Sequence, residues 1–246
     1  MELSAYASMR DTEETHWWFV GRRNVLRSLI ERFIALPPNA AVLEAGCGSG
    51  GNLPLLEGYG KLHAFEYNDE ARAYATQRTS GPVAFGALPQ EIGFGTKKFD
   101  LIALLDVLEH IDDDLGSLIA LRDRLSENGS LLITVPAVPA LWSDHDVVHH
   151  HKRRYSKAQL KCRLAEAGLV THGIGYFNSL LFPLALLERL ASKLGVGSPD
   201  SAAVPPAPVN RLLAWIFSLE AKLLGWLKFP IGLSLYAVVR RPPVRA

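Results

Sequence analysis

The chain has 246 residues, which suffices for one large α/β domain with an elaboration. Its formal net charge is +1, so the overall charge does not indicate a nucleic-acid partner. The two cysteines, Cys47 and Cys162, lie far apart in sequence and form no metal-binding spacing. We therefore expect a reduced, cytoplasmic protein. Charged residues interrupt any apolar core of a signal peptide, and no uncharged apolar run reaches the roughly 20 residues that span a bilayer.

The first predicted helix opens at His16 and contains two adjacent tryptophans, Trp17 and Trp18. Apolar residues then recur at helical spacing up to Ile34, and the helix ends before Pro37. The tryptophans either pack against the domain or form a lid over a ligand, and both interpretations stay open here. We assign residues 1–40 to an N-terminal helical lid.

A glycine-rich segment follows the first predicted strand. The apolar run Ala41–Leu43 indicates a buried strand, and Asn52 is predicted to cap the next helix. Gly46, Gly48 and Gly51 fit the spacing G-x-G-x-x-G. A turn of this kind lets backbone N–H groups approach the polar end of a nucleotide-like ligand.

Six further strands are predicted, separated mostly by helices. They are 61–66, 83–85, 99–105, 130–134, 170–176 and 233–240. The intervening helices are expected over 68–79, 112–125 and 156–168. Asn128 and Gly129 are expected to close the second helix. The third is predicted to begin at a capping box of Ser156 and Gln159 and to end at Gly168. Strands that alternate with helices predict a Rossmann-like, doubly wound α/β sheet.

Glu66 ends the second predicted strand, about 20 residues beyond the first glycine of the turn. At that position an α/β nucleotide site places a carboxylate that accepts hydrogen bonds from ribose hydroxyls. We therefore predict that Glu66 contacts the sugar of the cofactor.

A polar loop over 135–155 leaves the carboxyl end of the fifth predicted strand. Histidine is partly neutral near pH 7 and can take a proton from a hydroxyl group, so three histidines are candidate catalytic bases: His145, His149 and His151. Asp146 would orient one of them, and Arg153 and Arg154 would clamp a phosphate or carboxylate.

Two alternatives remain for this loop. A metal site is less favoured because consecutive histidines cannot all face one ion; its candidate ligands are Asp144, His145, Asp146, His149 and His150. The other alternative is a solvated polar loop without a catalytic role.

Residues 178–230 form an insertion before the last strand and carry two apolar helices. The first stripe runs from Leu180 to Leu194, and a linker of Ser, Pro and Ala spans 198–208. Leu212, Trp215, Ile216, Leu219 and Leu223 line the second helix. This cap is a packed core, a dimer interface, a lid over an apolar acceptor or a membrane-surface anchor. Aromatic residues beside Arg211, Lys222 and Lys228 are typical of an interfacial helix.

Two segments resemble motifs of a known family. The segment 44–50 resembles the first motif of class I S-adenosylmethionine-dependent methyltransferases, and 105–110 is similar to the segment after their fourth strand, especially in the type 11 group. The resemblance implies a seven-stranded sheet with an antiparallel last strand. It assigns 41–177 and 231–241 to the methyltransferase domain and implies that S-adenosylmethionine is the cofactor.

The resemblance also implies which residues contact the cofactor. They are Glu44, Gly46, Cys47, Gly48, Ser49, Gly50, Glu66, Tyr67, Ala87, Leu88, Asp106 and Val107. The aspartate that the family often has near Gly86 is missing here. Glu109 and His110 are either structural or in contact with a ligand. Relatives also share the tryptophans and the histidine-basic-tyrosine string, so Trp17, Arg153, Arg154 and Tyr155 are candidate substrate contacts.

The sequence thus favours a methyltransferase that methylates oxygen or carbon of a small, lipophilic or lipid-linked acceptor. An NAD(P)-dependent oxidoreductase is the alternative enzyme, because the glycine spacing permits it. A non-catalytic S-adenosylmethionine-binding scaffold is the third hypothesis. The interfacial character of the cap also indicates peripheral contact with a membrane through residues 178–230.

Overall fold

The strands of the computed structural model form one twisted sheet. The structure describes residues 10, 12–193 and 204–243. Its strands are β1 (Ala41–Ala45), β2 (Lys61–Glu66), β3 (Val83–Phe85), β4 (Phe99–Leu105), β5 (Leu125–Pro136), β6 (Val170–Phe177) and β7 (Ser234–Arg240). The seven-stranded sheet has the order β3-β2-β1-β4-β5-β7-β6. Strands β1 to β5 pair in parallel, and β7 is antiparallel to both of its neighbours. The predicted Rossmann-like sheet with an antiparallel last strand is confirmed.

Helices cover both faces of the sheet. They are α1 (Trp17–Phe33), α2 (Leu53–Glu57), α3 (Asp69–Thr76), α4 (Asp114–Arg122), α5 (Asp144–Val148), α6 (Lys157–Glu166), α7 (Phe182–Lys193) and α8 (Ala207–Leu223). Short 3-10 helices span Leu108–His110 and Pro139–Leu141. None of the helices in the described part of the chain is long and apolar enough to cross a membrane.

Two hydrophobic clusters lie on opposite faces of the sheet. One joins the strands to α4 and α6 through residues such as Leu118 and Leu160. The other joins them to α1, α2 and α8 through residues such as Leu29, Leu53 and Phe217. Because both faces are covered, the inner strands are continuous apolar runs instead of alternating ones. This explains why β4 was predicted with its observed bounds.

Helix α1 packs closely against α8 although the two lie near opposite ends of the chain. A Cβ atom built on Gly21 would lie 2.4 Å from Phe217 Cδ1, so only glycine permits this approach. Asn24 Nδ2 donates to Ser218 Oγ at 2.9 Å. The N-terminal helix and the cap therefore form one layer over the sheet.

The second cap helix is rotated relative to the predicted apolar stripe. Phe217 and Glu220 are buried, whereas Leu212 and Trp215 are exposed. Glu220 Oε1 accepts hydrogen bonds from the backbone N–H groups of Ser179 and Leu180, both at 2.6 Å. The exposed part of the stripe is therefore not packed core, and the alternatives of an interface, a lid or a membrane-surface anchor stay open for it. Leu194 and the linker residues 198–203 lie outside the described residues.

Two local predictions also need correction. Helix α4 ends at Arg122, and Asn128 and Gly129 lie inside β5 instead of closing the helix. The ladder between β4 and β5 is irregular there, and a Cβ atom on Gly129 would lie 2.6 Å from Phe99 O. Gly129 thus permits a close approach of two strands. The predicted loop 135–155 contains α5 and a 3-10 helix.

Candidate functional site

The carboxyl ends of the parallel strands meet at one edge, where β1 and β4 lie side by side. This is the switch point at which open α/β sheets bind ligands. The glycine turn after β1 is tied to β2, because Gly46 N and Cys47 N both donate to Phe65 O at 3.0 Å. Gly46 has a φ of +71°, and a Cβ atom there would lie 3.0 Å from Val107 Cγ1. The turn therefore contacts the segment after β4 directly.

Glu66 lies at this edge and holds the glycine turn. Its Oε2 accepts a hydrogen bond from Gly48 N at 2.8 Å, and its Oε1 accepts one from Asn68 N at 2.9 Å. The side chain is buried. Glu66 thus points toward the rim, as a contact with a nucleoside requires, and its role toward the ribose stays a prediction.

Glu44 is a buried carboxyl group below the glycine turn. Its Oε1 accepts a hydrogen bond from Asn52 Nδ2 at 2.9 Å, and its Oε2 has no hydrogen-bond partner among the described residues. Burial raises the pKa of Glu44 to about 8. Asn52 occupies the position before α2, but its side chain makes no capping hydrogen bond. Asn52 thus has the predicted N-cap position but makes no capping hydrogen bond, because its Oδ1 accepts from Arg22 and its Nδ2 donates to Glu44.

Arg22 reaches the same site from α1. Its buried guanidinium donates to Asn52 Oδ1 at 3.2 Å and forms an ion pair with Asp106 after β4. The guanidinium carbon lies 5.2 Å from the centre of the Trp18 ring. Arg22 connects the N-terminal helix to both sides of the switch point. The sequence reasoning missed it, because an arginine in an amphipathic helix is usually a solvated residue.

Glu13 also lies over the glycine turn. Ser49 Oγ donates to its two carboxylate oxygens at 3.2 and 3.1 Å, and Arg78 forms an ion pair with it. Burial raises the pKa of Glu13. Ser49, a predicted cofactor residue, therefore holds the N-terminal segment over the glycine turn through Glu13. No motif in the sequence marked Glu13.

The other predicted cofactor residues surround the same edge. Tyr67 is exposed, and its ring centre lies 6.2 Å from that of Phe85. Ala87 and Leu88 follow β3 and are half-buried. Cys47 is buried, and burial raises the pKa of its thiol. The structure thus gathers all of these residues at the ends of β1 to β4, and their contacts with the cofactor stay predictions.

Asp146 organises the histidine segment after β5. Its Oδ1 lies 2.9 Å from His151 Nδ1 and accepts a hydrogen bond from Arg154 Nε at 2.7 Å. Burial alone would raise the pKa of Asp146, but the hydrogen bonds from His151 and Arg154 outweigh it and hold that pKa well below its usual range. The aspartate thus orients His151, one of the three candidate histidines.

A second histidine reaches this segment from the end of β4. The ring centres of His110 and His151 lie 4.7 Å apart, and that of His149 lies 5.9 Å from His151. Burial, followed by the charge of His151, lowers the pKa of His110 to about 3. His110 is therefore a neutral imidazole at physiological pH. The position of the His145 side chain lies outside the described part of the structure.

The basic-tyrosine string has structural partners. Arg153 Nη1 pairs with Asp114 Oδ2 at 2.9 Å, and Arg154 Nη1 donates to Ala137 O at 3.1 Å. Tyr155 is only 3% exposed, and its hydroxyl donates to Asp114 Oδ2 at 2.9 Å. The Tyr155 ring is therefore part of the core, and its contact with a substrate stays a prediction.

Trp17, the remaining candidate substrate contact, lies half-buried between α1 and the cap. Its ring centre is 6.1 Å from that of Phe217, and its backbone N–H donates to Asn210 Oδ1 at 2.8 Å. Trp17 therefore joins the lid to the cap, which favours packing among the two interpretations of the tryptophans.

Comparisons with known proteins agree with this arrangement. Residues 19–174 match the sequence model of a family described as a methyltransferase domain. No protein of curated function matches the chain in sequence.

Solved structures share the whole fold at low sequence identity. A candidate methyltransferase in complex with a Haloferax volcanii methyltransferase activator is 17% identical, with a TM-score of 0.64 over 100% of this chain and 98% of that one. Phosphoethanolamine N-methyltransferase 2 of Haemonchus contortus, solved with S-adenosylmethionine, is 15% identical with a TM-score of 0.59 over 90% and 52% of the two chains. Geranyl diphosphate C-methyltransferase of Streptomyces coelicolor, solved with S-adenosylhomocysteine, is 13% identical with a TM-score of 0.58 over 87% and 78%.

The strand order, the glycine turn and the carboxylates at the switch point define a class I S-adenosylmethionine-dependent methyltransferase. The chain belongs to the methyltransferase domain family and uses S-adenosylmethionine as its cofactor. It is a methyltransferase, so the oxidoreductase and scaffold hypotheses are set aside. Membership of the type 11 group stays a prediction.

Proposed function

We propose that this methyltransferase methylates an oxygen or carbon atom of a small, lipophilic or lipid-linked acceptor. One observation carries the choice of acceptor: the cap exposes large apolar side chains beside cations. The most exposed are Trp226, Leu187 and Trp215, at 84%, 64% and 60%. The exposed cations are Arg211, Lys222 and Lys228. Apolar rings flanked by basic residues suit the boundary between lipid headgroups and acyl chains.

The cofactor would be held at the switch point. The unpartnered Glu44 Oε2 and the backbone N–H groups of the glycine turn fit the polar methionine end of S-adenosylmethionine. Glu66 would accept hydrogen bonds from its ribose. The cofactor supplies an activated methyl group on a sulfonium, so the protein contributes position and exclusion of water.

The acceptor would bind between the segments that follow β4 and β5. Asp146 holds His151 there, beside His110. Among the predicted catalytic histidines whose side chains are described, His151 is the better oriented base, with His149 next to it and Asp146 as a positioning residue. A hydroxyl acceptor must lose its proton during transfer, and His151 is placed to interact with it.

The division of the chain follows from this assignment. Residues 1–40 would act as a lid over the cofactor, since Glu13 and Arg22 already contact the glycine turn and the segment after β4. Residues 41–177 and 231–241 would form the methyltransferase domain. The cap at 178–230 would present the enzyme to the membrane that holds its acceptor.

The test combines binding and activity. The protein is floated with vesicles of phosphatidylglycerol and phosphatidylcholine, and the triple variant W215S, W226S and L187S is compared with V170S, a single apolar-to-serine change at an exposed residue of β6 outside the cap. We expect that the triple variant no longer binds the vesicles and that V170S binds them like the wild type. Unchanged partitioning would exclude the cap as an anchor.

Activity is measured with radiolabelled S-adenosylmethionine and a total lipid extract of the source cells. We expect label in the organic phase, and its loss in H151A. Label that appears only in water-soluble metabolites would show that the acceptor is not lipophilic.

A further inference from the structure

Three potential metal ligands converge on the acceptor side of the site. Glu109 and His110 lie in the 3-10 helix after β4, and His151 follows α5. One ligand atom from each of these residues lies within 4.8 Å of the other two. Because the cluster combines two imidazoles with a carboxylate, its donor set is the one found in catalytic sites of zinc and similar divalent cations.

We propose that Glu109, His110 and His151 bind one divalent transition cation of the zinc type, and that this cation holds an oxygen atom of the acceptor. The second half of the proposal rests on the proposed function. Three protein ligands leave a coordination position open for water or substrate. The acceptor would therefore carry a hydroxyl or phosphate oxygen.

The first supporting observation is the buried oxygen of Glu109. The Glu109 side chain is 1% exposed, and its Oε2 has no hydrogen-bond partner within the described ranges. A buried carboxylate oxygen without a partner is costly unless a cation or a donor compensates it. A cation shared with the two imidazoles would do so.

The second supporting observation is the way His151 is held. Asp146 Oδ1 contacts His151 Nδ1 at 2.9 Å, which assigns Nε2 as the ligating atom. Asp146 is itself fixed by Arg154 Nε and by the backbone N–H of Ser143. A histidine oriented by a carboxylate through its other nitrogen is the usual outer contact of a metal ligand.

The spacing is close to that of a bound cation. Ligand atoms at about 2.1 Å from zinc in a tetrahedral arrangement lie roughly 3.3 Å from one another. Rotation of side chains closes the remaining distance, since His110 and His151 are only half-buried. Only Leu108 separates Glu109 and His110 from Asp106 and Val107, two predicted cofactor residues, so an oxygen held here would lie beside the cofactor.

Zinc binding to the full-length protein tests the site without any acceptor. The protein is stripped with a chelator, then titrated with Zn²⁺ by calorimetry, and its metal content is measured after dialysis. We expect about one zinc per chain. E109Q and H110A should each weaken binding at least tenfold, and D146N should weaken it by about 10- to 100-fold. Mg²⁺ at the same concentration should not compete, because it prefers oxygen ligands.

H172A is the matched control, since His172 is an exposed histidine on β6 outside the cluster. It should bind zinc like the wild type. Binding of S-adenosylmethionine and the circular dichroism spectrum confirm that each variant is folded. Absence of zinc binding, or zinc binding that E109Q and H110A leave unchanged, would overturn the proposal.

The two proposals fail separately. In one outcome, the wild type and its variants bind zinc as expected while the enzyme labels only water-soluble metabolites. That result would retain the metal site and reject the lipophilic acceptor. Labelled lipid produced by the zinc-free protein would reject the role of the cation in holding the acceptor and would retain the lipophilic acceptor. The variants also distinguish a metal-binding role of His151 from a role as a general base alone, because a general base at His151 requires neither Glu109 nor His110.

Discussion

Arg22 in α1 forms an ion pair with Asp106 at the carboxyl end of β4. The pair joins the N-terminal helix to the segment that closes one side of the predicted cofactor site. Asp106 adopts a φ of +55°, a conformation that a non-glycine residue holds only when its surroundings stabilise it. The ion pair and the contact of Arg22 with Asn52 supply that support.

Replacing Arg22 by alanine should weaken both stability and cofactor binding. The variant leaves Asp106 without its cation and Asn52 without a donor, and a cost of about 2 kcal/mol in the free energy of unfolding is expected. Urea unfolding measures the stability, and calorimetry measures the affinity for S-adenosylmethionine. R27A is the control, because Arg27 is an exposed residue of the same helix. Equal effects of R22A and R27A would contradict the assigned role.

Gly21→Ala should disrupt the packing of α1 against α8 and destabilise the protein. Alanine usually stabilises a helix by about 1 kcal/mol relative to glycine. Here the new Cβ would meet Phe217 Cδ1 at 2.4 Å and Phe217 Cβ at 2.7 Å, so rotation of the ring cannot relieve the clash. A loss of about 1–3 kcal/mol in the free energy of unfolding is expected.

A double-mutant cycle with F217A is the control for this prediction. In the F217A background the extra methyl group has room, and G21A should then be neutral or stabilising. If G21A costs the same in both backgrounds, the contact does not limit the packing of α1 on α8.

Glu44 should make stability depend on pH. Its folded pKa of about 8 lies above the ordinary 4.5, so its contribution to stability is fully present below about pH 4.5 and is lost as pH rises through 8. The loss amounts to at most about 5 kcal/mol. E44Q removes this titration, so the free energy of unfolding of the wild type should fall more steeply with pH than that of the variant.

Cofactor binding should depend on pH in the opposite direction to stability, because S-adenosylmethionine carries positive charge and favours the ionised form of Glu44. Affinity for S-adenosylmethionine should therefore rise between pH 6 and 8.5 in the wild type and stay flatter in E44Q, as measured by calorimetry. Parallel pH profiles of the two proteins would show that Glu44 does not face the cofactor.

Tyr155→Phe distinguishes a core residue from a substrate contact. The variant loses only the hydrogen bond from the hydroxyl to Asp114, and a cost of about 1 kcal/mol in stability is expected. KM for the acceptor should not change, because the ring is buried. A rise in KM without a change in stability would restore Tyr155 as a substrate contact.

Local patterns were enough to predict much of the fold. Strands β2, β3 and β4 have their predicted bounds, and the apolar run from Leu101 to Leu105 marks β4 as a buried strand. The capping box at Ser156 and Gln159 starts α6 as predicted. Asn68 caps α3, which ends at Thr76, earlier than expected. These features depend on neighbours in sequence, so spacing alone reveals them.

Other features depend on residues that meet only after folding. Asp146 and His151 were recognised together because they lie in one segment. Glu13 and Arg22 were missed, since nothing near them in sequence shows that a buried glycine turn and Asp106 are their partners. The sequence also left open which face of α8 is buried, because Glu220, a charged residue, lies on that face.

The sequence by itself determined the doubly wound sheet and the glycine turn at its edge, because these follow from short-range periodicity and from the fixed geometry of a strand that enters a glycine turn. The cofactor class came from the resemblance of two segments to motifs of a known family. The tertiary structure decided which charges meet over that turn and which histidines share a site. Glu109 and His110 follow one strand and His151 follows another, and only the pairing of β4 with β5 brings these strand ends together. Convergence of side chains from different strands is a property of the register of the sheet, which local sequence patterns do not encode.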